Sequence, residues 1–320
     1  GSRKELMDQI NGTRIFIGTL ASIVGKPELF GIKKFNIAII DEASQILEPQ
    51  IVGLLPLFDR FIMIGDHNQL STITLQNEGQ SKVENESLND IELYDCRESL
   101  FERLFRICVK KGWTHVYDTL TFHGRMHEDI ADFVNKSFYD DVLRIATDRQ
   151  HFPLDYKCYN KDNRMQDLIA NHRTAFIPVR EVDNSNLSDK INVVEAESVV
   201  SMVENIIELY NVNDKAFDPQ KTIGIITPYR NQIALIKHKL RETGLPEADK
   251  IMVDTVERFQ GSQRDIIILS FCFNRPYQLN FFANMNREGT VDRKLNVALT
   301  RAREQLFLIG NDYILRQNPI

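Results

Sequence analysis

The stretch Ile37-Ala38-Ile39-Ile40-Asp41-Glu42-Ala43-Ser44-Gln45 decides how this chain is read. A continuous aliphatic run of mostly β-branched residues forms a strand expected to be covered on both faces. Two acids stop it abruptly. Residues 46–57 carry helical spacing, and Phe61-Ile62-Met63-Ile64 repeats the apolar run before Gly65-Asp66-His67-Asn68-Gln69. Strand, helix and strand at this spacing make a βαβ unit with a right-handed crossover. Both polar clusters therefore fall at carboxyl ends of parallel strands, the edge where open α/β sheets bind ligands.

Working outward, residues 76–97 are polar and acidic and read as an exposed connector, followed by an amphipathic segment over 99–110. A lobe boundary is placed at Tyr117-Asp118, giving a first lobe over 3–117 and a second over 118–320. The second lobe repeats the α/β pattern. Helical spacing marks 126–138, 196–210 and 231–241, and a helix is expected over 294–303. Strand-like runs stand at 223–226, 251–253, 266–269 and 306–309, while 147–189 resists assignment. The fold class is α/β, two lobes in tandem with parallel sheets.

Bulk properties fit that reading. At 320 residues, with 42% hydrophobic and 26% charged, the chain has room for two globular domains. No apolar run is long enough to cross a bilayer and no signal peptide is evident, so no membrane partner is expected. Cys96, Cys108, Cys158 and Cys272 are scattered without paired spacing, which suits a reduced cytoplasmic setting better than a disulfide or zinc scaffold. Gly1-Ser2 has the look of a cloning remnant. The net charge of −6 does not exclude a nucleic-acid partner, because phosphate binding needs local rather than total positive charge.

Each polar cluster has a chemical and a plain reading. Asp41-Glu42 supplies adjacent carboxylates, one suited to Mg²⁺ and the other to activating water in phosphoryl transfer. The same pair is also an ordinary acidic helix start. In the second cluster Gly65 allows an unusual backbone angle and Gln69 is an amide able to sense a γ-phosphate, or the whole is a polar turn. Arg125, in His123-Gly124-Arg125-Met126-His127, and Arg301 are cations able to stabilise charge on a transferring phosphate. Alternatively Arg125 is a surface cation, and Arg303 opposes a helix dipole at its C-terminus. His123 and His127 lack the glutamate of a zinc-protease signature. Gln260-Gly261 lets backbone approach a phosphate or ribose, or is a turn. Thr227-Pro228-Tyr229 offers contacts to a nucleic-acid backbone, or a helix start with Thr227 capping.

Taken together, these clusters resemble the motifs of superfamily 1 helicases, in the branch of the nonsense-mediated-decay RNA helicase and its DNA-acting relatives. The likeness runs from about Thr13 to Asp312. Asp41 to Gln45 resembles motif II, Gly65 to Leu70 motif III, and Arg125-Met126-His127 motif IV. Asp254 to Gly261 resembles motif V and Asn296 to Arg303 motif VI. The resemblance implies RecA-like lobes, the first truncated at its N-terminus, with ATP and Mg²⁺ as cofactors bound between them. It implies Asp41 as the Mg²⁺ ligand, Glu42 as general base, Gln69 as γ-phosphate sensor, and Arg125 and Arg301 as paired arginine fingers. Asp66, Gln260, Gly261 and Gln263 join the nucleotide site. Single-stranded DNA or RNA would lie along Thr19, Ser22, Thr227, Pro228, Tyr229 and Thr255.

The chain departs from the family pattern at several points. Gln263 stands where the family has a ribose-holding glutamate, Ser71 and Thr72 replace prolines, and His123-Gly124 replaces a glutamine-aromatic pair. No Gly-x-x-x-x-Gly-Lys-Thr/Ser loop is present, and Val24-Gly25-Lys26-Pro27 is no substitute, since Pro27 removes an N–H. The expectation is therefore the C-terminal fragment of an ATP-dependent helicase or translocase, inactive alone, whose phosphate-binding loop lies in a preceding N-terminal region. The alternative is a degenerate module that binds nucleic acid or protein without hydrolysis. A metal nuclease using Asp41 and Glu42 ranks last for want of further acids.

Overall fold

Strands β1 (Phe35–Ile40) and β2 (Phe58–Met63) pair in parallel, with Ile39 beside Ile62, so the βαβ expectation holds at its two ends. Between them the helical run breaks into a 3-10 turn Ala43–Gln45, a short helix Glu48–Ile51 and a second 3-10 turn Leu55–Leu57. Pro49 and Pro56 explain the breaks, because each removes a donor that a continuous helix needs. The computed structural model describes residues 3–317 except 73, 75, 181–187 and 287–288. Gly1-Ser2, and 181–187 of the stretch that resists assignment, therefore lie outside the described residues.

The chain divides into two compact units, Gly1–Asp118 and Thr119–Ile320. In the first, Ile51, Leu55 and Leu100 form a small core that reaches Ile40 and Met63. The sheet is not covered on both faces as the apolar runs suggested. Ile39 is 69% exposed and Ile62 is 52% exposed, since the short helical turns pack only around the strand ends. Within the acidic connector short helices Glu78–Ser81 and Glu86–Asn89 form, and the backbones of Lys82 and Asp95 make an isolated antiparallel bridge. The helix Leu100–Lys110 starts at Ser99, whose hydroxyl accepts the Glu102 N–H. It holds Arg103 in a buried, forked ion pair with Glu48 at 2.6 and 2.7 Å.

The second unit opens with a two-stranded parallel pair, β3 (Phe122–His123) and β4 (Arg144–Ile145). Its main sheet comprises β5 (Thr174–Pro178), β6 (Ile223–Ile226), β7 (Met252–Asp254), β8 (Arg264–Ser270) and β9 (Ala302–Gly310). They lie in the order β5-β9-β8-β6-β7, all parallel. Here the aliphatic runs are buried as expected: Ile223, Ile225, Ile266 and Ile268 are fully enclosed. The helices Val193–Val212 and Arg230–Glu242 pack on them. The stretch that resisted assignment holds a 3-10 turn Asp148–His151, a helix Arg164–Asn171 and β5. The expected helix over 294–303 ends at Leu299, and Arg303 belongs to β9, where it pairs with Asp265 at 2.9 Å. Arg303 is therefore no helix-end cation.

Candidate functional site

In unit 1 the first two clusters are joined by hydrogen bonds at the carboxyl edge of β1 and β2. The Ala43 N–H donates to Ile64 O at 2.8 Å, and Asp66 N–H reaches Ser44 Oγ at 3.4 Å. Gly65 is required by space rather than by backbone angle: a Cβ there would stand 2.9 Å from Ser44 N. The left-handed residue is instead Glu42, at φ 51°, a conformation that costs a non-glycine residue energy and recurs at functional sites.

The carboxylates are held by short local contacts. Asp41 Oδ1 accepts the Glu42 N–H at 2.9 Å, and Glu42 Oε2 accepts from Gln45 Nε2 at 2.7 Å. Asp66 accepts from Asn68 N–H through Oδ1 and from Gln69 Nε2 through Oδ2, both at 2.9 Å. Asp41 and Glu42 are exposed, while Asp66 and Gln69 are half-buried. Thr72 donates its hydroxyl to Gln45 O and so ties the end of this edge back to the first cluster. Elsewhere in unit 1, Thr19 caps the helix Leu20–Val24 by accepting Ser22 N–H at 3.2 Å, with both side chains exposed.

In unit 2 a second group gathers around a turn. Gly261 takes φ +75°, which lets the chain reverse after the short helix Val256–Phe259. Arg125 Nε donates to Gln263 Oε1 at 3.2 Å, and its Nη1 reaches Thr300 O at 3.3 Å. Arg301 is 1% exposed. Its guanidinium donates to Val297 O at 3.1 Å, to Ser262 O at 3.5 Å and to Thr300 Oγ1 at 3.0 Å. The two arginines thus share one neighbourhood but differ in access, Arg125 half-buried and Arg301 sealed. Gln260 has a buried Nε2 without a hydrogen-bond partner, and Gln263 is exposed. Sequence reading missed Ser262 and Thr300, whose part is played largely by backbone carbonyls.

The remaining nucleic-acid candidates form a third group. Thr227 is fully buried and its hydroxyl has no partner, so it stands behind the surface rather than on it. Pro228 and Tyr229 line a cavity of about 160 Å³ with Val256, Glu257, Phe282 and Lys294. Tyr229 accepts from Gln278 Nε2 at 3.1 Å, and burial pushes its hydroxyl pKa up. Burial also opposes ionisation of Glu257, but hydrogen bonding from Thr255 and the Lys294 ammonium at 3.1 Å offset it and hold the carboxyl below its usual range. Among the described residues no group of three or more His, Cys, Asp or Glu is placed to hold a metal ion. Burial, with Arg125 and Arg173 nearby respectively, lowers the imidazole pKa values of His123 and His127.

Comparison with known proteins bears on what these groups serve. Two family models, each described as an AAA domain, match residues 2–77 and 96–313. The chain is 29% identical over 321 residues to an uncharacterized ATP-dependent helicase of Methanocaldococcus jannaschii, covering 99% of this chain and 42% of that protein. It is 29% identical over 330 residues to the DNA replication ATP-dependent helicase/nuclease DNA2 of Homo sapiens, covering 95% and 27%. It is 31% identical over 301 residues to the helicase sen1 of Schizosaccharomyces pombe, covering 89% and 15%. The chain spans less than half the length of each. On these matches the chain belongs to the AAA-domain family and, within it, to the superfamily 1 helicases of the nonsense-decay RNA helicase branch.

Proposed function

We propose that these residues are part of an ATP-dependent helicase or translocase that couples ATP hydrolysis to movement along single-stranded DNA or RNA. The observation that supports this most is the joined edge of unit 1. Asp41, Glu42, Asp66 and Gln69 come from two strands yet form one hydrogen-bonded surface of acids and amides. Those residue types suit the water-activating half of phosphoryl transfer, where catalysis is positioning plus electrostatics.

The roles divide as follows. Glu42 is the general base: Gln45 holds one of its oxygens and orients the carboxylate towards an attacking water. Gln69, oriented by Asp66, senses the γ-phosphate. Arg125 supplies positive charge to the leaving phosphate, with Gln263 and Thr300 O holding its side chain. Arg301 serves from within, fixing the turn at Ser262 and the segment at Thr300. Gln260 and Gly261 lie on that turn and contact nucleotide through backbone and amide. Asp41 would hold Mg²⁺ through its carboxylate, a hard oxygen donor of the kind this ion favours. When bound, the ion neutralises charge on the β- and γ-phosphates.

Nucleic acid is gripped by Thr19 and Ser22 in unit 1 and by Pro228, Tyr229 and Thr255 in unit 2, with Thr227 supporting the last group. The reading also requires a phosphate-gripping loop, which these 320 residues do not carry and which we place in preceding polypeptide of the same protein. The free cysteines Cys96, Cys108, Cys158 and Cys272 suit a reducing compartment such as the cytoplasm. Among the described residues no helix is long and apolar enough to cross a membrane.

The test is Glu42→Gln in the full-length protein. Nucleic-acid-stimulated ATP turnover is expected to fall at least about 1,000-fold while ATP binding persists. Turnover close to that of the wild type removes Glu42 from the mechanism.

A further inference from the structure

The loop that carries Arg125 is fastened from a part of the chain that its sequence gave no reason to suspect. Arg149, in the 3-10 turn Asp148–His151, donates from Nη2 to Gly124 O at 3.0 Å and to Arg125 O at 2.8 Å. Its Nη1 pairs with Glu304 of β9. Arg173 donates to the other Glu304 oxygen at 3.0 Å, so the carboxylate is shared by two cations and held in place. The neighbouring Gln150, fully buried, donates to Met126 O at 2.7 Å. Consecutive carbonyls at 124, 125 and 126 are thus bound by two adjacent side chains. The Arg125 side chain is fixed separately, by Gln263 and Thr300 O.

This division matters for a cation that must meet charge developing on phosphate. A guanidinium stabilises a transition state only if it is already aimed, since reorganisation at the moment of reaction cancels the gain. A misplacement of about 1 Å costs on the order of 100-fold in rate. A glycine precedes Arg125, and glycine does nothing by itself to restrict the backbone there. Arg149 supplies the restriction, and Glu304 connects it to the same strand that Arg301 and Ala302 lead into.

We infer that Arg149, held by Glu304, is a positioning residue that sets the backbone of Arg125 for hydrolysis. It touches no substrate. The inference rests on the proposed role of Arg125 and can fail without it.

The experiment compares Arg149→Ala, Arg125→Ala and the double variant in the full-length protein, measuring ATP turnover with a single-stranded oligonucleotide. Arg149→Ala is expected to lower kcat about 10- to 100-fold with KM for ATP and oligonucleotide affinity unchanged. The double variant is expected to be no slower than Arg125→Ala alone. Arg149→Lys keeps a charge for Glu304 but lacks the planar fork, so it should give a smaller loss and serves if the alanine variant does not fold. In the 320-residue chain, either Arg149 variant should also shift or broaden the Arg125 Nε–H resonance in NMR spectra. A folded Arg149 variant with wild-type kcat, or losses that multiply in the double variant, overturns the inference and leaves the role of Arg125 standing. Wild-type turnover in Arg125→Ala overturns both.

Discussion

Arg125 and Arg301 are two cations of one type that differ in access, one half-buried and one sealed. Arg301 is sealed, and its guanidinium donates to the carbonyls of Val297 and Ser262 and to the Thr300 hydroxyl. Removing it leaves a cavity where a fully buried side chain and its hydrogen bonds had been. Arg125 is half-buried, and its guanidinium donates to the Gln263 amide oxygen and to Thr300 O at the longer distances of 3.2 and 3.3 Å. Arg301→Ala is therefore expected to cost about 3 kcal/mol or more of stability, and Arg125→Ala about 1 kcal/mol or less. Urea denaturation of the 320-residue chain checks this, and equal losses would contradict it. Gln263 shows a different point. It stands where the family pattern has a carboxylate, and the amide oxygen accepts from Arg125 without locking it into a full ion pair.

At the scale of elements, the join between the helix Val193–Val212 and β8 carries a titratable group. Glu195 is fully buried, and Oε2 accepts from Ser270 Oγ at 2.7 Å and from Cys272 N–H at 2.8 Å. Burial outweighs both bonds and raises its pKa from 4.5 to about 7. Between those values the unfolded chain has lost the proton that the folded chain keeps, so this group's contribution to stability falls as pH rises through that window. Glu195→Gln removes the titration. Its melting temperature relative to wild type should rise between pH 5 and pH 8, and a constant difference would contradict the assignment. The elements also show what sequence could tell. Runs such as Ile266 to Leu269 announced their strands because burial on both faces leaves no polar position. The helix expected over 46–57 failed at Pro49 and Pro56, and the last helix stopped short because Ala302 to Gly310 extends β9 by pairing with both β5 and β8. Motif order marked Asp41, Glu42, Gln69 and Arg125 as candidates. The role of Arg149 had no such signal, since it acts on backbone carbonyls 24 and 25 residues away.

For the molecule as a whole, each of the two units carries its own group of candidate functional residues. Unit 1 holds acids and amides on a sheet edge whose apolar strands are partly bare. Unit 2 holds the cations on a five-stranded parallel sheet with a buried core. Neither set suffices for phosphoryl transfer, because activating water and neutralising the leaving phosphate are separate demands. The proposed function requires both sets to serve one hydrolysis. Single-turnover ATP hydrolysis by the full-length protein carrying Arg125→Ala measures this most directly. The rate of the chemical step should fall by a factor of about 1,000 or more with ATP affinity retained. A chemical step within a few-fold of wild type would show that the cations of unit 2 take no part.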